Sequence, residues 1–207
     1  MAEPRRMRIG VLISGSGTNL QAIVDACDEG RIPGEVVVVI SNKEDAYGLV
    51  RAQKAGADPV WIDRTAHDTF KGYNDAILDA LTSRDVDLVV MAGYMRLLGS
   101  QVLDAYPNAV LNIHPALLPS FPGASGIHDA WDAGVKVTGV TVHFANEEFD
   151  KGPIIAQEAV TIAEDDTLDT LEAKIHEVEH RIYPEAIRLF AEGNLSIEDG
   201  KVRIVEG

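Results

Sequence analysis

Two polar side chains two positions apart, Asn112 and His114, have the types and spacing that acid–base chemistry requires. They follow a short apolar run, residues 109–111, and the pattern predicts a buried strand that ends at Pro115. Successive side chains of a strand point to opposite faces, so Asn112 and His114 are expected on one face. An amide can donate a hydrogen bond to an oxyanion, and an imidazolium adds a proton and a positive charge. The pair therefore indicates a site that holds and protonates an oxyanion.

Asp150 is the candidate carboxylate partner of this histidine. A nearby carboxylate favours the charged form of an imidazole, which can then act as an acid near neutral pH. Asp150 lies in an acidic loop between two predicted strands, directly before Lys151-Gly152-Pro153. Glu147 and Glu148 lie in the same loop and are equally well interpreted as solvated charges.

A glycine-rich segment, residues 14–17, separates the first predicted strand from the first predicted helix. Ser16, Thr18 and Asn19 are hydrogen-bonding residues beside this helix N-terminus, where an anion is stabilised, so we predict a monophosphate site. Thr18 or Asn19 is expected to cap the helix. The third glycine of a dinucleotide fingerprint is missing, and residues 41–43 offer no acid for a ribose diol, which disfavours NAD binding.

The other titratable residues give weaker signals. His143 lies in the middle of a predicted strand and is interpreted as a hydrogen-bonded strand histidine. His176 and Glu179 are neighbours on one helical face, and their spacing fits either a solvated pair or a substrate contact. Cys27 lies on the apolar stripe of the first helix and is interpreted as a core residue. The histidines and acids show no zinc-like spacing, so no metal is expected.

Strands and helices alternate from residue 7 to residue 115, which predicts an α/β fold with a mostly parallel, twisted, Rossmann-like sheet. After residue 122 the pattern predicts an antiparallel addition in the C-terminal part, then a long helix and a hairpin that turns at Asp199-Gly200. Ligands of parallel sheets bind beyond the carboxyl ends of the strands. The loops 15–19, 93–98 and 112–114 follow such ends, and we expect them to converge. The predicted strands are residues 7–13, 36–40, 60–62, 88–91, 109–114, 137–144 and 154–162.

Composition limits the classes of function. The chain has 207 residues, which predicts one domain, and a net charge of -15, which argues against a nucleic-acid surface. Such a charge repels anions at long range, so an anionic substrate must be held by local donors. No apolar run reaches the length of a membrane span, and the single cysteine excludes an intrachain disulfide. A cytoplasmic protein is expected.

Several segments, in order between residues 8 and 190, resemble the folate-dependent glycinamide ribonucleotide formyltransferases of purine biosynthesis. The Asn-x-His-Pro segment with a downstream Asp-x-Gly-Pro marks the wider formyltransferase superfamily. The Gly-x-Gly-[Ser/Thr]-Asn loop narrows the resemblance to the ribonucleotide enzymes. The matching segments are residues 14–21, 41–43, 92–98, 112–119, 139–143, 150–155 and 179–184.

The resemblance implies a role for individual residues. Catalysis would rest on Asn112, His114 and Asp150. The substrate phosphate would be bound by Gly17, Thr18 and Asn19, and the ribose would contact Glu179. The folate pocket would be lined by Met95, Arg96, Leu97, Leu98, Asn112, Asn146 and Lys71. Lys71 stands one place later than the base of the family pattern, and residues 124–128 match no constant part of it.

The implied reaction transfers the formyl group of 10-formyltetrahydrofolate, a co-substrate, to the amino group of N1-(5-phosphoribosyl)glycinamide. The amine would attack the formyl carbon directly, and Asn112 and protonated His114 would hold the resulting oxyanion. Asp150 would keep His114 protonated and relay the amine proton to the leaving N10. The expected domain spans residues 1–207, with a frayed tail at 1–6, a phosphate-binding half at 7–115, a folate-loop half at 116–192 and a tail hairpin at 193–207. The partners are small molecules, with no nucleic acid or membrane, and the protein is expected to be a monomer or a homodimer.

Other functions remain open on the sequence. Another formyltransferase or a formyltetrahydrofolate hydrolase would share Asn112, His114 and Asp150. A hydrolase is expected to carry an N-terminal regulatory domain, and a methionyl-tRNA formyltransferase an extra C-terminal domain with a basic surface. A non-catalytic phosphate-binding domain would tolerate replacement of all three residues.

Overall fold

Unbroken apolar strands form the sheet of the N-terminal unit, Met1–Val110. They pair in parallel in the order β3-β2-β1-β4, and the middle of each long strand is fully buried. A strand that is covered on both faces needs apolar residues on both, which explains runs such as residues 36–40. The strands are β1 (Met7–Ile13), β2 (Gly34–Ser41), β3 (Asp58–Trp61) and β4 (Leu88–Met91).

Amphipathic helices connect these strands. In the first helix Leu20, Ile23, Val24 and Cys27 are buried, as the i, i+3, i+4, i+7 pattern predicts. Burial raises the pKa of the Cys27 thiol to about 11, which agrees with a core residue. The helices are α1 (Thr18–Asp28), α2 (Tyr47–Lys54), α3 (Phe70–Thr82) and α4 (Ser100–Ala105).

An antiparallel set of strands and a long helix form the C-terminal unit, Leu111–Gly207. The strand order is β5-β6-β7, and α6 begins after Thr167, whose side chain accepts from the backbone of Thr170. This helix continues through Pro184 to its end. The elements are β5 (Val110–His114), α5 (Gly126–Asp132), β6 (Val137–Phe144), β7 (Ile154–Thr161), α6 (Leu168–Ala191), β8 (Leu195–Glu198) and β9 (Lys201–Ile204).

This computed structural model describes residues 5–205 and confirms the α/β class, with parallel strands first and an antiparallel addition in the C-terminal part. The predicted hairpin is β8 and β9, which pair antiparallel around Asp199-Gly200. The predicted tail lies outside the described residues except for Arg5, which pairs with Asp87, and Arg6, which donates to the Gly34 carbonyl. None of the helices described between residues 5 and 205 is long and apolar enough to cross a membrane.

Candidate active site

The glycine loop turns from β1 into α1 through Gly17. Gly17 has a φ of 71°, and a Cβ there would lie 2.8 Å from the Cα of Gly48. Only glycine fits both the left-handed backbone and this close approach. Gly17 therefore occupies the N-cap position, and the predicted cap by Thr18 or Asn19 is wrong, because both residues lie inside the helix and its N-cap has no side chain to make a capping bond. The N-terminus of α1 carries the positive end of the helix dipole, which suits an anionic ligand.

Residues of α2 hold this loop in place. The backbone N–H of Gly48 donates to the Gly15 carbonyl at 3.1 Å, and the Arg51 guanidinium donates to the Ser16 carbonyl at 2.9 Å. Arg51 brings a positive charge to the loop in a chain of net charge -15. The sequence did not single it out, because it lies 35 positions from the carbonyl that it binds.

A second loop of the N-terminal unit is tied to the first by Ser14. The backbone N–H of Met95 donates to the Ser14 hydroxyl at 3.0 Å, and that hydroxyl donates to Asn42 at 2.7 Å. The loops 15–19 and 93–98, which were expected to converge, are therefore neighbours. The loop 112–114 belongs to the other unit, and its place in that convergence stays a prediction.

The candidate folate residues of this second loop differ in exposure. Met95 is 63% exposed and Arg96 is exposed, whereas Leu97 is half-buried and Leu98 is buried. Lys71 is exposed on α3 and forms an ion pair with Asp75, one helical turn away, at 2.7 Å. Met95 and Leu97 thus offer apolar surface, and Lys71 offers a charge that a surface carboxylate already balances.

The Asp150 carboxylate lies in a buried polar cluster of the C-terminal unit. Its Oδ1 is 3.4 Å from the Asn112 Nδ2, and its Oδ2 is 3.5 Å from the His114 Nδ1. The backbone N–H of Gly123 donates to Oδ2 at 2.7 Å. The side chains of His114 and Asp150 are each 5% exposed. The residues that the sequence proposed as an acid–base group are therefore brought together, away from bulk water.

The loop around Asp150 distinguishes the three acids that the sequence offered. Asp150 has a φ of 55°, a left-handed conformation that aspartate tolerates better than most residues. Glu147 and Glu148 are exposed, and Glu148 pairs with Lys151 at 2.5 Å. Asn146 is also exposed, and its side chain accepts from the Glu148 backbone at 3.1 Å. Asp150 is thus the acid of this loop that is placed for chemistry.

The surroundings of Asp150 keep it ionised. Burial alone would raise the pKa of this carboxyl group. The hydrogen bonds with His143 and with the Gly123 amide, and the positive charges of the two imidazoles, outweigh burial, so the pKa is lowered overall. A carboxylate that stays charged near neutral pH can hold a proton on a neighbouring ring.

Both ring nitrogens of His114 face acceptors. Its Nε2 donates to the Phe121 carbonyl at 2.7 Å, and its Nδ1 faces the Asp150 carboxylate. A carbonyl and an ionised carboxylate can only accept, so the imidazolium is the form that satisfies both contacts. Gly126, the first residue of α5, leaves room for the ring, since a Cβ there would lie 3.1 Å from Nε2.

His143 is the member of the cluster that the sequence did not assign to it. Its Nε2 lies 3.1 Å from the Asn112 Nδ2 and 3.6 Å from the Asp150 Oδ1, and its side chain is 2% exposed. It is a hydrogen-bonded strand histidine, as interpreted, but its partners are the candidate catalytic residues. The signal is the register of β5 and β6, which places His143 directly opposite Asn112.

The helical pair of α6 divides into a buried and an exposed residue. Glu179 is buried, whereas His176 is exposed and its ring stacks on His180 with centroids 6.2 Å apart. A contact between Glu179 and a ribose stays a prediction. Within residues 5–205 no group of three or more histidines, cysteines and acids has the geometry to hold a metal.

Comparisons with known proteins agree with these features. Residues 7–187 match the formyl transferase family. The phosphoribosylglycinamide formyltransferase of Haemophilus influenzae is 46% identical over 192 residues, which cover 93% of this chain and 91% of that protein. The solved glycinamide ribonucleotide transformylase 1 of Symbiobacterium toebii is 56% identical, with a TM-score of 0.95 over 97% of this chain and 95% of that one.

A more distant relative has the same fold. The solved formyltetrahydrofolate deformylase of Pseudomonas syringae is 25% identical, with a TM-score of 0.90, and the match covers 98% of this chain and 67% of that one. The higher identity lies with the ribonucleotide enzymes. The chain therefore belongs to the phosphoribosylglycinamide formyltransferases within the formyl transferase family.

Proposed function

We propose that the protein transfers the formyl group of 10-formyltetrahydrofolate to the amino group of N1-(5-phosphoribosyl)glycinamide. The observation that carries this proposal is the buried cluster in which one carboxylate, Asp150, contacts both Asn112 and His114. A proton donor, a neutral amide donor and an ionised base are the groups that acyl transfer to an amine requires. The identity of the two substrates is inferred from the family to which the chain belongs.

Asn112 and His114 stabilise the oxyanion that develops on the formyl oxygen. The bound formyltetrahydrofolate supplies the formyl group, and the imidazolium of His114 supplies a proton and a charge. Without substrate, the Nε2 proton of His114 is bonded to the Phe121 carbonyl. In the proposed reaction the formyl oxygen replaces this carbonyl and accepts the hydrogen bond from the His114 Nε2–H. Such donors, aimed where charge appears, contribute about 3–4 kcal/mol each to lowering a barrier.

Asp150 moves a proton between the two nitrogens of the reaction. A bond forms between the amine nitrogen and the formyl carbon, and the bond between that carbon and N10 breaks. The amine loses one proton, which the Asp150 carboxylate passes through a water molecule to N10, so Asp150 ends the cycle ionised. The lowered pKa of Asp150 keeps it ionised, and its negative charge beside the His114 Nδ1 favours the protonated ring.

The N-terminal unit is proposed to bind the non-reacting parts of the substrates. The amides of Gly17, Thr18 and Asn19 would bind the phosphate, with Arg51 as a nearby positive charge. Apolar surface of Met95 and Leu97 would line the folate ring. Arg96, Leu98 and Lys71 are proposed to complete that lining. From the C-terminal unit, Asn146 is proposed to contact the pterin and Glu179 to contact the ribose.

An assay that follows release of 5,8-dideazafolate from its 10-formyl derivative tests the proposal. We expect release only when glycinamide ribonucleotide is present. Release at the same rate without the ribonucleotide would instead identify a hydrolase of formyltetrahydrofolate. Binding of both compounds without release would identify a non-catalytic protein.

The variant His114→Ala tests the mechanism within the same assay. We expect kcat to fall by about 10²–10⁴ while both ligands still bind, because the group acts mainly in the transition state. The exposed histidine variant His128→Ala is the control and should keep wild-type turnover. Near wild-type turnover of His114→Ala would refute the role of this residue.

A further inference from the structure

Two consecutive peptide groups of the glycine loop are bonded to α2 through their carbonyls. The Gly15 carbonyl accepts from the backbone N–H of Gly48 at 3.1 Å, and the Ser16 carbonyl accepts from the Arg51 Nε at 2.9 Å. In a trans peptide group the carbonyl and the N–H of the next residue point in opposite directions. The N–H groups of Ser16 and Gly17 are therefore directed away from these donors of α2.

The second of these peptide groups depends on a side chain for its orientation. A peptide group reverses by rotation about ψ of the residue before it and φ of the residue after it, and glycine adopts both signs of φ. The residue after it is Gly17, whose own carbonyl is held by the N–H of Gln21 at 3.0 Å. The first group is bonded to the main chain of Gly48, whereas the second is bonded to Arg51. Arg51 thus favours one orientation of the group between Ser16 and Gly17.

The reversed orientation would be unfavourable for a bound phosphate. It would turn the Ser16 carbonyl oxygen toward the side to which the Gly17 N–H now points. A carbonyl oxygen carries a partial negative charge and can only accept, so it repels the phosphate oxygens that an N–H would bind. The contact with Arg51 therefore determines whether this point of the loop attracts or repels an anion.

Two other side chains hold the Arg51 guanidinium in place. Its Nη1 donates to the Gln21 Oε1 at 3.0 Å, and its Cζ lies 5.0 Å from the centre of the Tyr47 ring, one turn earlier on α2. A planar guanidinium offers several donors in fixed directions, so it can bond to the Ser16 carbonyl and to Gln21 together. Arg51 thus has a geometric role at the loop in addition to its charge.

We propose that Arg51 is a positioning residue that gives the protein its preference for a phosphorylated substrate. It binds the Ser16 carbonyl and thereby directs the Gly17 N–H toward the phosphate of glycinamide ribonucleotide. This inference rests on the proposed function, which places that phosphate at the glycine loop. Since the phosphate does not react, it is bound equally well in the ground state and in the transition state. Loss of Arg51 is therefore expected to raise KM at an unchanged kcat.

The variant Arg51→Met, which removes the donors of this side chain, tests the role. We expect the KM for glycinamide ribonucleotide to rise about 10- to 100-fold, with kcat and the KM for the formyl donor within about twofold of wild type. For glycinamide ribonucleoside, which lacks the phosphate, we expect kcat/KM within about twofold of wild type. Equal losses of kcat/KM with the two compounds would overturn the proposal, because they would indicate a general distortion of the site.

Two further variants separate geometry from charge. Lys54→Met removes one positive charge from an exposed position of the same helix and should match wild type with both compounds. Arg51→Lys keeps the charge but replaces the forked donor by one ammonium group. We expect its KM for the ribonucleotide to stay at least about fivefold above wild type. Full recovery in Arg51→Lys would show that a charge suffices and would refute the positioning role.

The Gly17 amide gives a measurement that does not depend on turnover. We expect a titration with inorganic phosphate to move the assigned ¹⁵N–¹H signal of Gly17 in wild type and to leave it in place in Arg51→Met. Arg51→Lys serves for the same comparison if Arg51→Met does not fold. A Gly17 signal that stays in place in wild type, or that moves equally in wild type and variant, would contradict the inference.

The two proposals fail in different ways. A wild-type protein that releases no 5,8-dideazafolate refutes the proposed function, whereas the phosphate titration still tests the effect of Arg51 on the Gly17 amide. A fully active wild type whose Arg51→Met variant keeps its KM for glycinamide ribonucleotide refutes the role of Arg51 alone.

Discussion

At the scale of single residues, Asp150 links the chemistry of the C-terminal unit to its stability. Its contacts with His143, Gly123 and His114 lower its pKa below the ordinary value and so keep the carboxylate ionised. A group with a depressed folded-state pKa contributes stability that is fully present above its unfolded pKa, about 3.9. That contribution is lost as the pH falls through the lower folded-state pKa.

The variant Asp150→Asn should change both activity and acid stability. We expect kcat to fall by about 10²–10⁴, since asparagine can neither accept the relayed proton nor favour a charged His114. We also expect its free energy of unfolding to depend less steeply on pH between about pH 2 and 5 than that of wild type. Chemical denaturation across this range measures the difference. Parallel pH curves for the two proteins would contradict the assigned pKa direction.

At the scale of elements, the turn from β1 into α1 depends on one close backbone approach. Gly17→Ala would place a Cβ 2.8 Å from the Gly48 Cα and force a left-handed φ on alanine. Gly30→Ala is a matched control, because Gly30 has a similar φ of 74° with nothing within 4 Å of the added Cβ.

We expect Gly30→Ala to destabilise the protein by about 1–2 kcal/mol through φ alone. Gly17→Ala should lower the free energy of unfolding by about 1–3 kcal/mol more, because the added Cβ also overpacks against Gly48. Only Gly17→Ala should raise the KM for glycinamide ribonucleotide. Thermal melts and steady-state kinetics measure both effects. Equal destabilisation of the two variants would show that the approach to Gly48 carries no strain.

A second element-scale test uses two threonines of β6. Thr141 is fully buried, donates to the Ala116 carbonyl at 2.7 Å and accepts from the Leu118 N–H at 3.0 Å. It thereby anchors the loop that follows His114. Thr138, on the same strand, is 1% exposed, and its hydroxyl has no hydrogen-bond partner among residues 5–205.

The substitution to valine should therefore have opposite consequences at the two positions. Thr141→Val removes the hydrogen bonds of two buried backbone groups, the Ala116 carbonyl and the Leu118 N–H. It should lower the free energy of unfolding by about 1–3 kcal/mol and also lower kcat. Thr138→Val removes an unsatisfied hydroxyl and should be neutral or stabilising. Urea unfolding compares the variants directly. A Thr141→Val protein as stable as Thr138→Val would contradict the anchoring role.

The elements differ in how far the sequence predicts them. Apolar runs and turn residues placed β1, β4 and the β8–β9 hairpin closely, because these depend on local patterns. The cap of α1 was mispredicted, since the choice of Gly17 depends on Gly48, 31 positions away and on another helix. The place of His143 beside Asn112 depends on the register of β5 and β6, which no local pattern records.

At the scale of the whole molecule, the net charge of -15 opposes the approach of an anionic substrate. Raising the ionic strength from about 20 mM to about 200 mM shortens the Debye length from about 20 Å to about 7 Å, which screens that repulsion. We expect kcat/KM for glycinamide ribonucleotide to rise over this range. Glycinamide ribonucleoside, the same substrate without its phosphate, is the control, and its kcat/KM should change less with ionic strength. A fall in kcat/KM with salt would show that local positive charge dominates.

The loop that covers the C-terminal cluster has a consequence for how a catalytic cycle begins. The Phe121 carbonyl accepts a hydrogen bond from the His114 Nε2, and the Gly123 N–H donates to Asp150, so one stretch of main chain provides a partner for both side chains. Main-chain groups thus make the hydrogen bonds that a bound substrate would be expected to make. If the proposed mechanism holds, catalysis starts when the reactant replaces the main chain as the partner of these side chains, and the main chain keeps the buried His114 and Asp150 hydrogen-bonded between turnovers.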